Sequence, residues 1–130
     1  MNLYELGFND EELKEMVNIN PLLVNLTDEE IKNNILVLEE LGCKQRHIKN
    51  ILISNPFYLN RSLSDIKELI RYLSELGFTY LNLLFDSNPE FLNKDVFEIE
   101  NFINKKKKDG MSLEDIVDLI DSNPFVIDEE

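Results

Sequence analysis

Cys43 and His47 are the chain's single cysteine and single histidine, and they stand four residues apart. On a helix that spacing puts a thiol and an imidazole on one face, as half a metal site or a thiol–imidazole pair requires. No second Cys or His exists in the sequence to complete either arrangement. Cys43 also falls in a slot held by Phe8, Phe78 and Met111 elsewhere in the chain, so it reads as a packing residue and His47 as a surface residue of a helix. Carboxylates are the other abundant chemistry, and pairs at helical spacing arise freely, as in Asp28/Glu29/Glu30, Glu39/Glu40 and Asp115/Asp118. General acid–base work needs two carboxylates held in different environments within a pocket, and no pair here is set apart in that way. No phosphate-cradling glycine loop, nucleophile elbow or EF-hand loop is present. The expectation is a protein that is not an enzyme, with no cofactor and no metal.

Charge is the stronger signal. The 130 residues carry 26 acids against 13 Lys and Arg, a formal charge of −13. That balance repels nucleic acid and anionic lipid at long range and attracts basic surfaces. Residues 1–20 hold five acids and one Lys, and residues 89–130 hold twelve acids and five Lys, while residues 21–88 are nearly balanced. The candidate partner-binding acids are Asp10, Glu11 and Glu12, then Asp28, Glu29 and Glu30, then Glu114, Asp115, Asp118 and Asp121, with residues 128–130 as a further cluster. Two basic clusters stand against them: Lys44, Arg46 and Lys49 beside His47, and the run Lys105, Lys106, Lys107 and Lys108. No apolar run approaches the roughly 20 residues of a membrane helix. The opening MNLYELGFNDEEL has neither a basic leader followed by an apolar stretch nor an Arg-rich, acid-poor composition. With one cysteine and no expected disulfide, a cytoplasmic protein with no membrane partner is expected.

These residues are positioned by a repeat. The four prolines are 35, 33 and 35 residues apart, and the four glycines 35, 35 and 33 apart. Every Pro is preceded by Asn, in NPLLV, NPFYL, NPEFL and NPFVI. Each Gly closes a helical pattern, such as Ile31, Ile35, Leu38, Leu41 or Ile66, Leu69, Ile70, Leu73, Leu76, and an apolar residue follows it, as a Schellman helix end requires. Leu3 and Leu6 match the last turn of that pattern, so residues 2–6 read as the stub of another long helix. Counting back from each Asn, an apolar face recurs at Leu13/Met16/Val17, Ile48/Ile51/Leu52, Leu81/Leu84/Phe85 and Ile116/Leu119/Ile120. The third unit is two residues shorter between its Gly and its Asn. Thr27 with Glu30 and Ser62 with Asp65 read as capping boxes, and Asn9 and Ser112 as N-caps. Proline ends the short helix at the residue before it. The Asn is expected to cap a 3₁₀ turn with Pro at its first position, inserting Leu23/Val24, Tyr58/Leu59, Phe91/Leu92 or Val126/Ile127 into the core. The fold is therefore all-α: an α-solenoid of roughly three and a half helix–helix–3₁₀ repeats, a single domain over 1–130 with units near 7–41, 42–76, 77–109 and 110–130.

A unit reading LYELGF…NPLLV, LEELGC…NPFYL, LSELGF…NPEFL and KKKDGM…NPFVI resembles the mTERF repeat of the mitochondrial transcription termination factor family, over essentially the whole chain. The resemblance implies a superhelix of two α-helices and a 3₁₀ turn per repeat, and a nucleic-acid-binding groove of positive charge. The acidic composition departs from the second of these. The expected function is a non-catalytic acidic helical-repeat interaction module that binds a basic, nucleic-acid-handling protein, as a nucleic-acid mimic or inhibitor in its sharpest form. The alternative is direct, mTERF-like binding of DNA or RNA through Lys44, Arg46, Lys49 and Lys105–Lys108.

Overall fold

The structure is a computed structural model that describes residues 2–130. Among the described residues there are seven α-helices and five 3₁₀ segments, and no strand. A 3₁₀ segment Asn2–Leu6 leads into α1 (Asp10–Ile19), 3₁₀ Pro21–Asn25, α2 (Asp28–Glu40), α3 (Gln45–Ser54) and 3₁₀ Pro56–Asn60. Then follow α4 (Leu63–Leu76), α5 (Leu81–Ser87), 3₁₀ Pro89–Asn93, α6 (Val96–Lys108), α7 (Leu113–Ser122) and 3₁₀ Val126–Glu129. The chain divides into two compact units, Met1–Leu63 and Ser64–Glu130.

The glycines end their helices as their spacing predicts. Gly7, Gly42, Gly77 and Gly110 have φ of 91°, 95°, 110° and 95°, in the left-handed region that a side chain resists. In each repeat the amide after the Gly donates back five residues: Phe8 to Leu3, Cys43 to Leu38, Phe78 to Leu73 and Met111 to Lys106. That bond is the signature of a Schellman end. Phe8, Cys43 and Phe78 are buried, and Met111 is half-buried. The helix starts are equally legible. Asn9 with Glu12 and Thr27 with Glu30 form reciprocal capping boxes, and the Ser112 hydroxyl accepts the Asp115 amide. A third box, Asp95 with Glu98, begins α6. The two residues missing from the third unit shorten its short helix, so that α5 has seven residues where α1, α3 and α7 have ten.

Asn123 Oδ1 accepts the Phe125 amide at 3.2 Å, as expected of a cap, but the Asn of the other three Asn-Pro pairs behaves differently from expectation. Asn20, Asn55 and Asn88 end their helices and precede a Pro in the first turn of the next 3₁₀ segment, but none caps that segment through its side chain. All three are buried, at 1% exposure. Within the first unit the Asn20 amide donates to the Pro56 carbonyl at 3.2 Å and to Asn60 Oδ1 at 2.7 Å. The Asn60 amide returns to the Leu22 carbonyl at 3.1 Å. Within the second unit Asn88 donates to the Pro124 carbonyl at 2.8 Å. A buried amide so placed satisfies a carbonyl of the next Asn-Pro turn and so fastens one repeat to the next.

At the 3₁₀ turns the expected core residues divide. Leu23, Tyr58, Leu59, Phe91 and Leu92 are buried, but Val24 is 69% exposed, and Val126 and Ile127 are only half-buried. The first unit shows why. The 3₁₀ segment Pro56–Asn60 packs on α2, whose Asn34 amide donates to the carbonyls of Tyr58, Leu59 and Arg61 at 3.0–3.3 Å. Tyr58 returns its hydroxyl to the Asn34 carbonyl at 2.6 Å. Among the described residues the 3₁₀ segment Asn2–Leu6 stands in that place ahead of Pro21–Asn25, and Val24 is left exposed. For Val126 and Ile127, the described residues include no further helix after them.

Candidate interaction surfaces

The candidate acids lie where helices begin. Asp10, Glu11 and Glu12 form the first turn of α1, Asp28, Glu29 and Glu30 that of α2, and Glu114 and Asp115 open α7. There the free amides and the helix dipole favour negative charge, so part of the acidity has a local structural cause. Glu12 and Glu30 accept the amides of Asn9 and Thr27. The Asn9 amide, helped by Lys49, holds the Glu12 carboxyl below its ordinary range. Asp10 accepts the Tyr4 hydroxyl, which raises that phenol's pKa. All ten candidate acids are exposed except Glu12, which is half-buried. On α7, Asp118 and Asp121 are one turn apart. Burial, and then the Asp118 charge, push the Asp121 carboxyl up. Asp121 also lines a cleft of about 210 Å³ with Tyr80, Leu83 and Pro124.

The basic candidates divide. Lys49, on α3, reaches Glu12 at 3.2 Å and the Gly7 carbonyl at 3.0 Å, and sits 5.7 Å from the centre of the Phe8 ring. The structure thus pairs a member of the expected basic cluster with a member of the expected acidic one. Lys106, aligned with buried leucines of the other long helices, places its ammonium 5.5 Å from the centre of the Phe102 ring and pairs with Glu130. Glu130 raises the Lys106 pKa, and Lys106 in turn depresses that of Glu130. Lys44, Arg46, Lys105, Lys107 and Lys108 are exposed. The α6 helix continues through Lys108, so the lysine run is its ordered last turn, placed where cations complement the dipole.

Cys43 and His47 do not share a helix face. The helix α3 starts at Gln45 with Lys44 as its N-cap, which leaves Cys43 in the turn before it, buried behind Gly42. His47 is half-buried on α3. Among the described residues no group of three or more His, Cys, Asp or Glu is arranged to hold a metal ion. Nor is any helix among them long and apolar enough to cross a membrane.

Sequence reasoning missed Lys94. This lysine is buried at 6% exposure, pairs with Asp128 in the second unit, and lies 5.8 Å from the Phe91 ring centre. The signal was available: Asp128 occupies the repeat position of Asn25, Asn60 and Asn93, and an acid there calls for a cation opposite.

Pairs of α-helices joined through an Asn-Pro 3₁₀ turn, each long helix closed by a left-handed Gly, define a helical-repeat protein of the α-solenoid class. The family model for mTERF matches residues 1–129, essentially the whole chain. The protein belongs to the mTERF family. No curated protein matches the chain.

Proposed function

We propose that this mTERF-family chain is a non-catalytic, cytoplasmic module of nucleic-acid-associated processes that binds a basic protein surface through its exposed acids. One observation carries the reading. Glu11, Glu29, Glu114 and Asp118 stand exposed, while Lys49, Lys94 and Lys106 are each drawn into an ion pair with a carboxylate. Each pair withdraws one cation and one anion together, so the net charge of −13 is carried by the carboxylates that remain exposed. In its sharpest form the module is a nucleic-acid mimic or inhibitor whose carboxylates take the place of phosphates. Such acids steer association and make it salt-sensitive. The test is capture from native lysate in nuclease-treated and high-salt arms. A basic protein retained through nuclease and lost in salt supports the reading; recovery of nucleic acid alone overturns it.

A second reading, direct binding of DNA or RNA in the manner implied by the family, is favoured by one feature. Lys105, Lys107 and Lys108 are exposed together in the last turn of α6. With Lys49 and Lys106 paired to acids, this reading falls mainly to those three and to Lys44 and Arg46. Neutralising the five then abolishes binding and flattens its salt dependence.

A further inference from the structure

One face of the short helix is polar in three repeats and apolar in the other. Eight and five residues before the Asn of each Asn-Pro stand Glu12 and Glu15, His47 and Asn50, Tyr80 and Leu83, and Asp115 and Asp118. The face meets solvent in every repeat, since Glu15, Asn50 and Asp118 are all exposed. Only the third repeat puts large apolar groups there, and Tyr80 and Leu83 are 67% and 56% exposed. Burial in the core does not account for them. They wall the cleft of about 210 Å³ whose far side is Asp121 and Pro124, at the end of α7. The Asn88 amide, bonded to the Pro124 carbonyl at 2.8 Å, ties the two sides together, so the cleft is built into the second unit.

Charge selects the occupant. No Lys, Arg or His stands in residues 72–93 or 109–130, which supply both walls. Asp121 lines the cleft with Asp118 one turn away, and among the described residues neither carboxylate belongs to an ion pair. Burial and the Asp118 charge already hold the Asp121 carboxyl above its ordinary range, and a cation would relieve both. The first unit supplies a cation from its own chain: Lys49 of α3 reaches Glu12 of α1 at 3.2 Å and lies 5.7 Å from the Phe8 ring centre. In the second unit the buried Val117 takes the place of Lys49, and Tyr80 that of Glu12. We infer that the cleft between α5 and α7 docks an arginine side chain of a partner protein. A guanidinium is planar and weakly hydrated, so it stacks on an aromatic face while its N–H fork meets a carboxylate. Tyr80 offers the ring, Asp121 the carboxylate, and Leu83 the apolar wall along which the methylene stem lies. A lysine brings the charge without the flat face or the fork, and a phosphate is repelled by the two carboxylates.

The inference rests on the reading of the chain as a module for basic partners, and its test separates the two. The probe is an end-blocked peptide Gly-Leu-Arg-Leu-Gly, with twins that carry lysine or the neutral isostere citrulline in place of Arg. Each is titrated into the full chain and followed by heteronuclear NMR. The parent is compared with Tyr80→Ala, with Asp121→Asn, and with Glu11→Gln/Glu29→Gln, whose changes lie in the first unit. All four positions are exposed, so the substitutions leave the fold intact, which the dispersion of the same spectra verifies. The Arg peptide is expected to shift the amides of residues 80–87 and 121–123 saturably, at least about fivefold more tightly than citrulline and about threefold more tightly than lysine. Tyr80→Ala and Asp121→Asn should each weaken it by at least about fivefold, and Glu11→Gln/Glu29→Gln by less than about twofold. No saturable shift, equal binding of the citrulline twin, or shifts confined to the first turns of α1 and α2 would overturn the site. A basic protein captured from lysate equally by the parent and by Tyr80→Ala/Asp121→Asn would also overturn it, and would leave the broader reading standing.

Discussion

Two turns of the first unit, NPLLVN at residues 20–25 and NPFYLN at residues 55–60, share a pattern and differ in fate. Both follow a ten-residue helix, and both adopt the 3₁₀ conformation with Pro in the first turn. Yet Leu59 is 1% exposed and its counterpart Val24 is 69% exposed. The local motif sets the backbone; the preceding long helix sets the burial. A helical repeat cannot bury its own apolar face and depends on its neighbour for that, which is why the same motif forms a core in one place and a surface in another.

Substitutions at paired positions sharpen this comparison. The largest effect is expected for Tyr58→Ala, which empties a fully buried site and frees the Asn34 carbonyl; a loss of about 3–5 kcal/mol is expected in urea titrations. Asn34→Ala removes the amide that serves three carbonyls and should cost about 2 kcal/mol, because each loses that donor and only the Tyr58 carbonyl keeps the Arg61 amide as a second. Val24→Ser should lie within about 0.5 kcal/mol of the parent, as an exposed position away from any such network. If Val24→Ser costs as much as Asn34→Ala, the two turns are equally covered and the contrast drawn between them fails.

Much of this was legible before the structure. Gly and Pro are so constrained in backbone that their spacing alone locates the helix ends and the 3₁₀ turns, and Thr27 with Glu30 and Asn9 with Ser112 locate helix starts. The Asp95–Glu98 box escaped notice, although its residue types announce it. The Asn of Asn-Pro was misread at Asn20 and Asn88, though not at Asn123, because the cap preference is a local property and the bond to Pro56 or Pro124 spans 36 residues. Val24 was misread for the reason given above. The candidate surfaces were legible only as charge. That Lys49 would meet Glu12, 37 residues away in sequence, depends on how α1 and α3 pack, and periodicity does not carry that information.

The smallest expected effects are electrostatic, and they contrast α1 with α7. The folded pKa of Glu12 is depressed, so its contribution to stability is present above the ordinary carboxylate value of 4.5 and is lost as pH falls through the lower folded value. Asp121 has the opposite sign. Its folded pKa is raised above the ordinary 3.8, so stability is lost as pH rises from that value through the folded one. Thermal melts between about pH 3 and 6 should therefore show Glu12→Gln lowering stability most at the upper end of the range. Asp121→Asn should raise stability there, since it removes a partly desolvated charge that also faces Asp118.

The central claim is that the exposed charge of this mTERF-family chain serves a basic partner and not nucleic acid. Anisotropy of labelled duplex DNA and of labelled RNA, at about 50 mM salt where phosphate contacts are strongest, tests it directly. The account predicts no saturable binding of either up to about 10 μM protein, a range that covers ordinary non-specific nucleic-acid binders. Saturable binding that weakens steeply with salt and disappears when Lys105, Lys107 and Lys108 are changed to Gln would contradict it.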